Sequence, residues 1–262
     1  MTRKEVVCKI KGEIKVRMKV IALADSIGCL TRYKGKKISV IGDSISTLEG
    51  HNPENYKVFY TKEKCALAGI GSAGDTWWGL LAKRLGCEVL VNNSFSGSRV
   101  TKLPDRDGLF PSGCSDERTS SLHKNETQPD IVIVYLGTND WYNGVSLEHK
   151  HGIQRLLDQS FSHAYNNMLD KIRMNYPSAE IWCCTLCPSD AKNESGQFPF
   201  EKMGIHMKTY CDIIKDIAAK NNYRVIDLYS YGCFYSTVDG YHPDCEGMKS
   251  IADMAVSELT DK

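Results

Sequence analysis

Short apolar runs alternate with amphipathic helical stretches along most of this chain, and no other feature constrains its fold as tightly. The runs predict strands near 37–42, 88–92, 130–136, 179–185 and 223–228. Between and after them, helices are predicted near 75–86, 153–175, 201–221 and 245–260. One helical stripe is Phe161, Ala164, Tyr165, Met168, Leu169 and Ile172; another is Met207, Tyr210, Cys211, Ile214, Ile217 and Ala218. Their spacing of three and four residues puts each set on one face, as a core-facing helix requires. Strands as uniformly apolar as Ile131 to Val134 are covered on both faces. Alternation of this kind implies a parallel sheet between two helical layers, a three-layer α/β/α sandwich.

Open sheets of this type carry their sites at the carboxyl ends of the strands. Three strand ends and one late loop hold chemistry there. The first strand runs through Ile41 and Gly42 into Asp43-Ser44, which makes Ser44 the candidate nucleophile. The second runs into Ser94-Phe95-Ser96-Gly97, where a glycine can bring its backbone N–H close to a reacting carbonyl. The third ends in Gly137-Thr138-Asn139-Asp140, with an amide side chain able to donate to an oxyanion. In the late loop, Asp239-Gly240-Tyr241-His242-Pro243 sets a carboxylate three residues before an imidazole. A carboxylate so placed can fix the imidazole's tautomer, and the imidazole can then act as general base. Each residue also has a plainer role open to it: Ser44 as a helix N-cap, Asn139 as a turn residue, Asp239 and His242 as a structural pair.

Taken in this order, the four blocks resemble the SGNH (GDSL-type) hydrolase family. The matching motifs are Gly-Asp-Ser-Ile-Ser at 42–46, Ser-Gly at 96–97, Gly-Thr-Asn-Asp at 137–140 and Asp-x-x-His-Pro at 239–243. The resemblance implies a flavodoxin-like, five-stranded parallel sheet and ester hydrolysis without a metal or cofactor. It implies Ser44 as nucleophile, His242 as base and Asp239 as orienter. The oxyanion hole would be the Ser44 and Gly97 N–H groups and the Asn139 side chain. Substrate specificity stays open, as does the choice between water and another acceptor. An acyltransferase, a lysophospholipase or thioesterase of the same family, and a non-enzymatic binding module on the same fold are the alternatives.

Trp141 and Tyr142 follow Asn139 and are expected at the cleft mouth, with Trp77 a further contributor from the start of a helix. Aromatic faces there suit a sugar ring. The stretch 94–129 is rich in Ser, Asp, Arg, Lys and Gly rather than the apolar residues of a lipase lid. The expected substrate is therefore a short acyl ester, acetyl above all, on a carbohydrate or similarly polar alcohol.

At 262 residues, 42% hydrophobic and 25% charged, the chain suits one medium domain. Residues 36–262 are assigned to it. Residues 1–35 read as a basic β-arm or hairpin, because Cys8 to Val20 alternate apolar and charged side chains. Such an arm either guards a sheet edge with lysines or docks on a second copy of the chain. Residues 1–37 hold 11 Lys/Arg against 3 Asp/Glu, whereas the rest holds 22 against 29. A catalytic domain of that sign gives no attraction to nucleic acid or anionic membranes. The 11 cysteines form no regular framework and no apolar leader opens the chain, which favours the cytoplasm, or an exported protein if a leader was removed.

Several motifs compete for attention. Gly69 to Gly74 spell a literal G-x-G-x-x-G, but no clear strand precedes them, and Asn92-Asn93 stand where an acidic ribose ligand is wanted. They read as a turn into a helix capped by Asp75 or Thr76. Cys184 and Cys187 form a single CxxC at a strand end and read as core thiols. Asp25-Ser26 lacks the preceding glycine and strand of the Ser44 block. His51, His123, His149, His151, His163 and His206 lack the Asp-x-x-His-Pro context of His242.

Overall fold

The computed structural model describes residues 31–102, 111–148 and 158–260. Its centre is a parallel sheet of β1 (Lys37–Gly42), β2 (Glu88–Ser94), β3 (Ile131–Tyr135), β4 (Glu180–Cys184) and β5 (Arg224–Ile226), ordered β2-β1-β3-β4-β5. This is the flavodoxin-like order, whose switch point lies between β1 and β3. The helices are α1 (Lys62–Ala68), α2 (Trp77–Leu85), α3 (Asp116–Ser120), α4 (Thr138–Tyr142), α5 (Phe161–Asn175), α6 (Met207–Lys220) and α7 (Cys245–Thr260).

Strand period two divides the core in two. Ile38 and Val40 of β1, Ile131 and Ile133 of β3, and Trp182 of β4 meet α2 and α7 on one face. Ile41, Val132, Val134, Ile181 and Cys183 meet α5 and α6 on the other. The α5 and α6 stripes are buried as their spacing predicts. Each fully buried Leu, Ile or Met contributes about 1.5–3 kcal/mol relative to an exposed one, so these faces, more than helix propensity, hold the layers together.

Register decides where the site can form. Gly42 pairs with Ser94 of β2 and with Tyr135 of β3, so three strands end level. Gly42 is needed there: a Cβ would lie 2.7 Å from Ser46 Oγ and 2.8 Å from Ser94 Oγ.

Some elements differ from expectation. The stretch 45–74 contains α1, closed by Gly69 in the left-handed region with φ 70°. Within the glycine-rich turn, the Gly71 and Ser72 N–H groups donate to the Asp75 carboxylate, while Thr76 caps α2 by accepting from Gly79 N. The helix expected from 201 begins at Met207, because Glu201–Lys202 and Ile205–His206 pair as a small antiparallel hairpin. Tyr33, assigned to the arm by sequence, is buried edge-on to Trp182 at 5.2 Å. The alternating stretch 8–20, Ser26, His149 and His151, and the first part of the helix expected from 153 lie outside the described residues.

Candidate active site

Asp239 shapes its own loop. Its Oδ1 accepts from the N–H groups of Tyr241 (3.1 Å) and His242 (2.9 Å), and its Oδ2 lies 2.8 Å from His242 Nδ1. A three-residue spacing suffices because the short carboxylate can fold back on the following backbone. The other imidazole nitrogen, Nε2, lies 2.9 Å from Ser44 Oγ, across 198 residues of sequence. With the carboxylate facing Nδ1, the network assigns the proton to that nitrogen and leaves Nε2 free to accept from the serine hydroxyl. Phe59 stacks on the imidazole, and Tyr60 Oη donates to the Pro243 carbonyl at 2.6 Å to hold the loop down.

Burial pulls the His242 pKa below its ordinary value, against the attraction of Asp239. Asp239 has the opposite balance. Burial works to raise its pKa, but the His242 backbone and ring together hold it below the usual carboxylate value. A neutral imidazole beside an ionised carboxylate can take a proton from a hydroxyl nucleophile.

Ser44 opens a single 3₁₀ turn, Ser44–Ser46, capped by Asp43 through a 3.0 Å bond from Ile45 N. The turn is braced from behind. Trp77 Nε1 donates to Ser46 Oγ at 3.1 Å, and Trp78 Nε1 and Asn92 Nδ2 donate to Ser46 O at 3.0 and 2.7 Å. Asp43 is fully buried, and that burial pushes its carboxyl up to about 7 despite the Ile45 N–H and the nearby Arg118.

Asn139 sits in the first turn of α4. Its Nδ2 donates to Ser98 O at 3.0 Å and lies 3.4 Å from Asp43 Oδ2. Asp140 beside it is buried and fixes the neighbouring loop, accepting from Val100 N at 2.8 Å and Thr101 Oγ1 at 2.8 Å. Asp43, Ser44, Ile45, Thr138, Asn139, Tyr142, Tyr241 and His242 line a cleft of about 250 Å³. Gly97 is not among the lining residues; it adopts φ 86°, a left-handed conformation that suits glycine, in the loop leading to Ser98.

The aromatic residues expected at the mouth divide. Tyr142 lines the cleft and is 45% exposed, edge-on to Tyr241 at 5.3 Å. Trp141 and Trp77 are not at the mouth. Trp141 is 2% exposed, stacks on Phe198 and donates from Nε1 to Phe200 O. Successive helical residues point about 100° apart, so only one of a Trp-Tyr pair on α4 can face the cleft. Trp77 is 1% exposed and serves the Ser44 turn instead.

Sequence reasoning did not find Phe59, Tyr60 and Arg118, which carry no strand-end signal. Among the described residues, the competing histidines have other partners: His51 faces Trp78, His123 contacts Tyr176, His163 is near Asp158, and His206 caps α6. Burial drives the Cys184 and Cys187 thiols well above the ordinary thiol pKa. Among the described residues, no group of three or more His, Cys, Asp and Glu is arranged to hold a metal ion. Nor is any helix among them long and apolar enough to cross a membrane.

The GDSL-like lipase/acylhydrolase family profile matches residues 36–259. The chain belongs to this family. As a GDSL-like enzyme it is an ester hydrolase. Its fold is similar to that of a GDSL-like lipase from Bacteroides ovatus, with TM-score 0.64 and 24% identity over 84% of this chain and 96% of the other. It is also similar to Est24, a carbohydrate acetylesterase from Sinorhizobium meliloti, with TM-score 0.55 and 15% identity over 86% and 97% of the two chains. A stretch of 56 residues is 36% identical to the cellulase/esterase CelE of Acetivibrio thermocellus, covering 21% of this chain and 6% of that protein.

Proposed function

We propose that this GDSL-like hydrolase is a serine esterase that removes short acyl groups, acetyl above all, from a carbohydrate or similarly polar alcohol. The observation that carries the reading is the hydrogen-bonded line Asp239–His242–Ser44 at 2.8 and 2.9 Å, ending on the floor of a small cleft. In this reading Ser44 Oγ attacks the ester carbonyl as His242 Nε2 takes its proton. The carbonyl oxygen, now negative, accepts from the Ser44 and Gly97 N–H groups and from Asn139 Nδ2, which keeps its bond to Ser98 O and gives up the longer 3.4 Å contact with Asp43 Oδ2. Collapse breaks the ester C–O bond, and His242 returns the proton to the departing alcohol. Water then attacks the acyl-serine with His242 again as base, releasing the acid and restoring Ser44.

The short acyl group is supported by the cleft's volume of about 250 Å³ and by the Tyr142–Tyr241 pair on its lining. A polar alcohol is supported by the half-exposed Tyr142 side chain on the cleft lining and by the Lys202 ammonium over its ring, 4.9 Å from the centroid. The carbohydrate acetylesterase and cellulase/esterase relatives point the same way.

A fluorophosphonate should label one serine, Ser44, as located by peptide mass spectrometry, and Ser44→Ala should abolish both labelling and turnover. An adduct on another serine would overturn the nucleophile. A series of p-nitrophenyl esters of increasing acyl length, followed by acetylated glycans, tests the substrate. A preference for octanoyl over acetyl would overturn the short-acyl part.

A further inference from the structure

Arg118 is an arginine with no solvent exposure. Its guanidinium has five N–H groups, and each is used. Nε donates to Asn93 Oδ1 at 3.0 Å, Nη1 to Ser98 Oγ and to Pro111 O at 3.3 Å, and Nη2 to Gly42 O at 2.8 Å and Asn93 O at 2.6 Å. All of these acceptors are neutral oxygens. A buried cation held in this way is costly in desolvation, and an apolar side chain of similar volume would be the cheaper filling. Burial draws its pKa down to about 10, which leaves it cationic at neutral pH.

The acceptors lie at the points from which the proposed oxyanion donors hang. Gly42 O is two residues before Ser44, at the end of β1. Asn93 and Ser98 bracket the loop that carries Gly97, one on each side. The Ser98 carbonyl in turn receives Asn139 Nδ2 at 3.0 Å. One rigid, planar fork therefore fixes the Ser44 turn, both ends of the Gly97 loop and, through Ser98, the amide of Asn139.

We propose that Arg118 is the positioning residue of the oxyanion hole, setting the Ser44 N–H, Gly97 N–H and Asn139 amide in mutual register while touching neither substrate nor reacting atoms. The inference rests on the oxyanion reading given above. A lysine at this position keeps the charge but has three donors on one point, so it cannot span the acceptors.

Its test compares Arg118→Lys, Ser98→Ala and Asn139→Ala on p-nitrophenyl acetate, well below each variant's Tm. Misplaced donors act on the transition state, so folded Arg118→Lys should lose about 10²-fold in kcat with KM within about threefold of wild type. Inhibition by a phenylboronic acid, which becomes tetrahedral on Ser44, should weaken in step with kcat. Ser98→Ala, which cuts one link and leaves Arg118 in place, should show a smaller loss with the same split. Arg118→Lys combined with Asn139→Ala should lose less than the product of the single losses, because both act through one hole. If Arg118→Lys does not fold, Ser98→Ala and its boronate affinity decide. Wild-type kcat in folded Arg118→Lys and Ser98→Ala, while Asn139→Ala costs about 10²–10³, would overturn the positioning role alone. Multiplicative losses in the double variant would do the same. An Asn139→Ala enzyme with undiminished kcat would overturn the oxyanion reading and this inference with it.

Discussion

Phe59 lies flat on the imidazole of His242, with ring centroids 3.4 Å apart and planes 9° apart. The phenyl ring keeps water from one face of the base and fixes the plane in which Nε2 meets Ser44. It comes from the segment between β1 and α1, so the segment that follows the nucleophile also controls the acidity of the base.

The pH profile follows from that contact. Protonated His242 cannot act as a base, so kcat/KM should fall as pH drops through its pKa, which burial holds below 6.5. Phe59→Ala admits water and leaves the attraction of Asp239 in place, so the acid limb should move to higher pH. A pH series on p-nitrophenyl acetate for both enzymes checks this; a limb that stays put or moves toward acid would refute it.

Adjacent residues Trp141 and Tyr142 should separate stability from recognition. Trp141 is buried against Phe198, so Trp141→Ala should cost about 3–5 kcal/mol. At about 2–4 °C per kcal/mol for a chain of this size, that is a large fall in Tm by calorimetry. Tyr142→Ala should leave Tm nearly unchanged and raise KM for an acetylated sugar by roughly two- to tenfold, the worth of one aromatic contact. A KM unmoved by Tyr142→Ala would remove Tyr142 from substrate binding.

Asp43 makes stability depend on pH with an unusual sign. Its carboxyl is raised from 3.8 to about 7, so between those values the folded protein holds a proton that the unfolded chain has released. By linkage, this group's contribution is fully present below the unfolded value and is lost as pH rises through the folded one. Asp43→Asn should therefore flatten the decline in urea-unfolding free energy between pH 4 and 7. An equal or steeper decline in the variant would contradict the raised pKa.

The layers, the parallel sheet and the polar strand ends were legible in the sequence because each rests on local periodicity. Ile131 to Val134 can only be a strand covered on both faces, and the stripes of α5 and α6 can only be helix faces against a core. The Asp239–His242 contact was also local, a carboxylate reaching three residues along its own loop. Register and orientation were not local, and only the tertiary structure decided them. Ser44 meets His242 because β1 lies inside the sheet while the loop before α7 folds back over its end. Trp141 turned inward and Tyr142 outward because one turn of helix was already committed to the core by its neighbours. Arg118 and Phe59 reach the site from segments without strand-end patterning, and their roles come from acceptors and a ring brought to them by distant parts of the chain. Hydrophobic spacing encodes which face of an element is buried; which polar group meets which across the sheet depends on how the packed layers close, and short-range pattern holds no record of that.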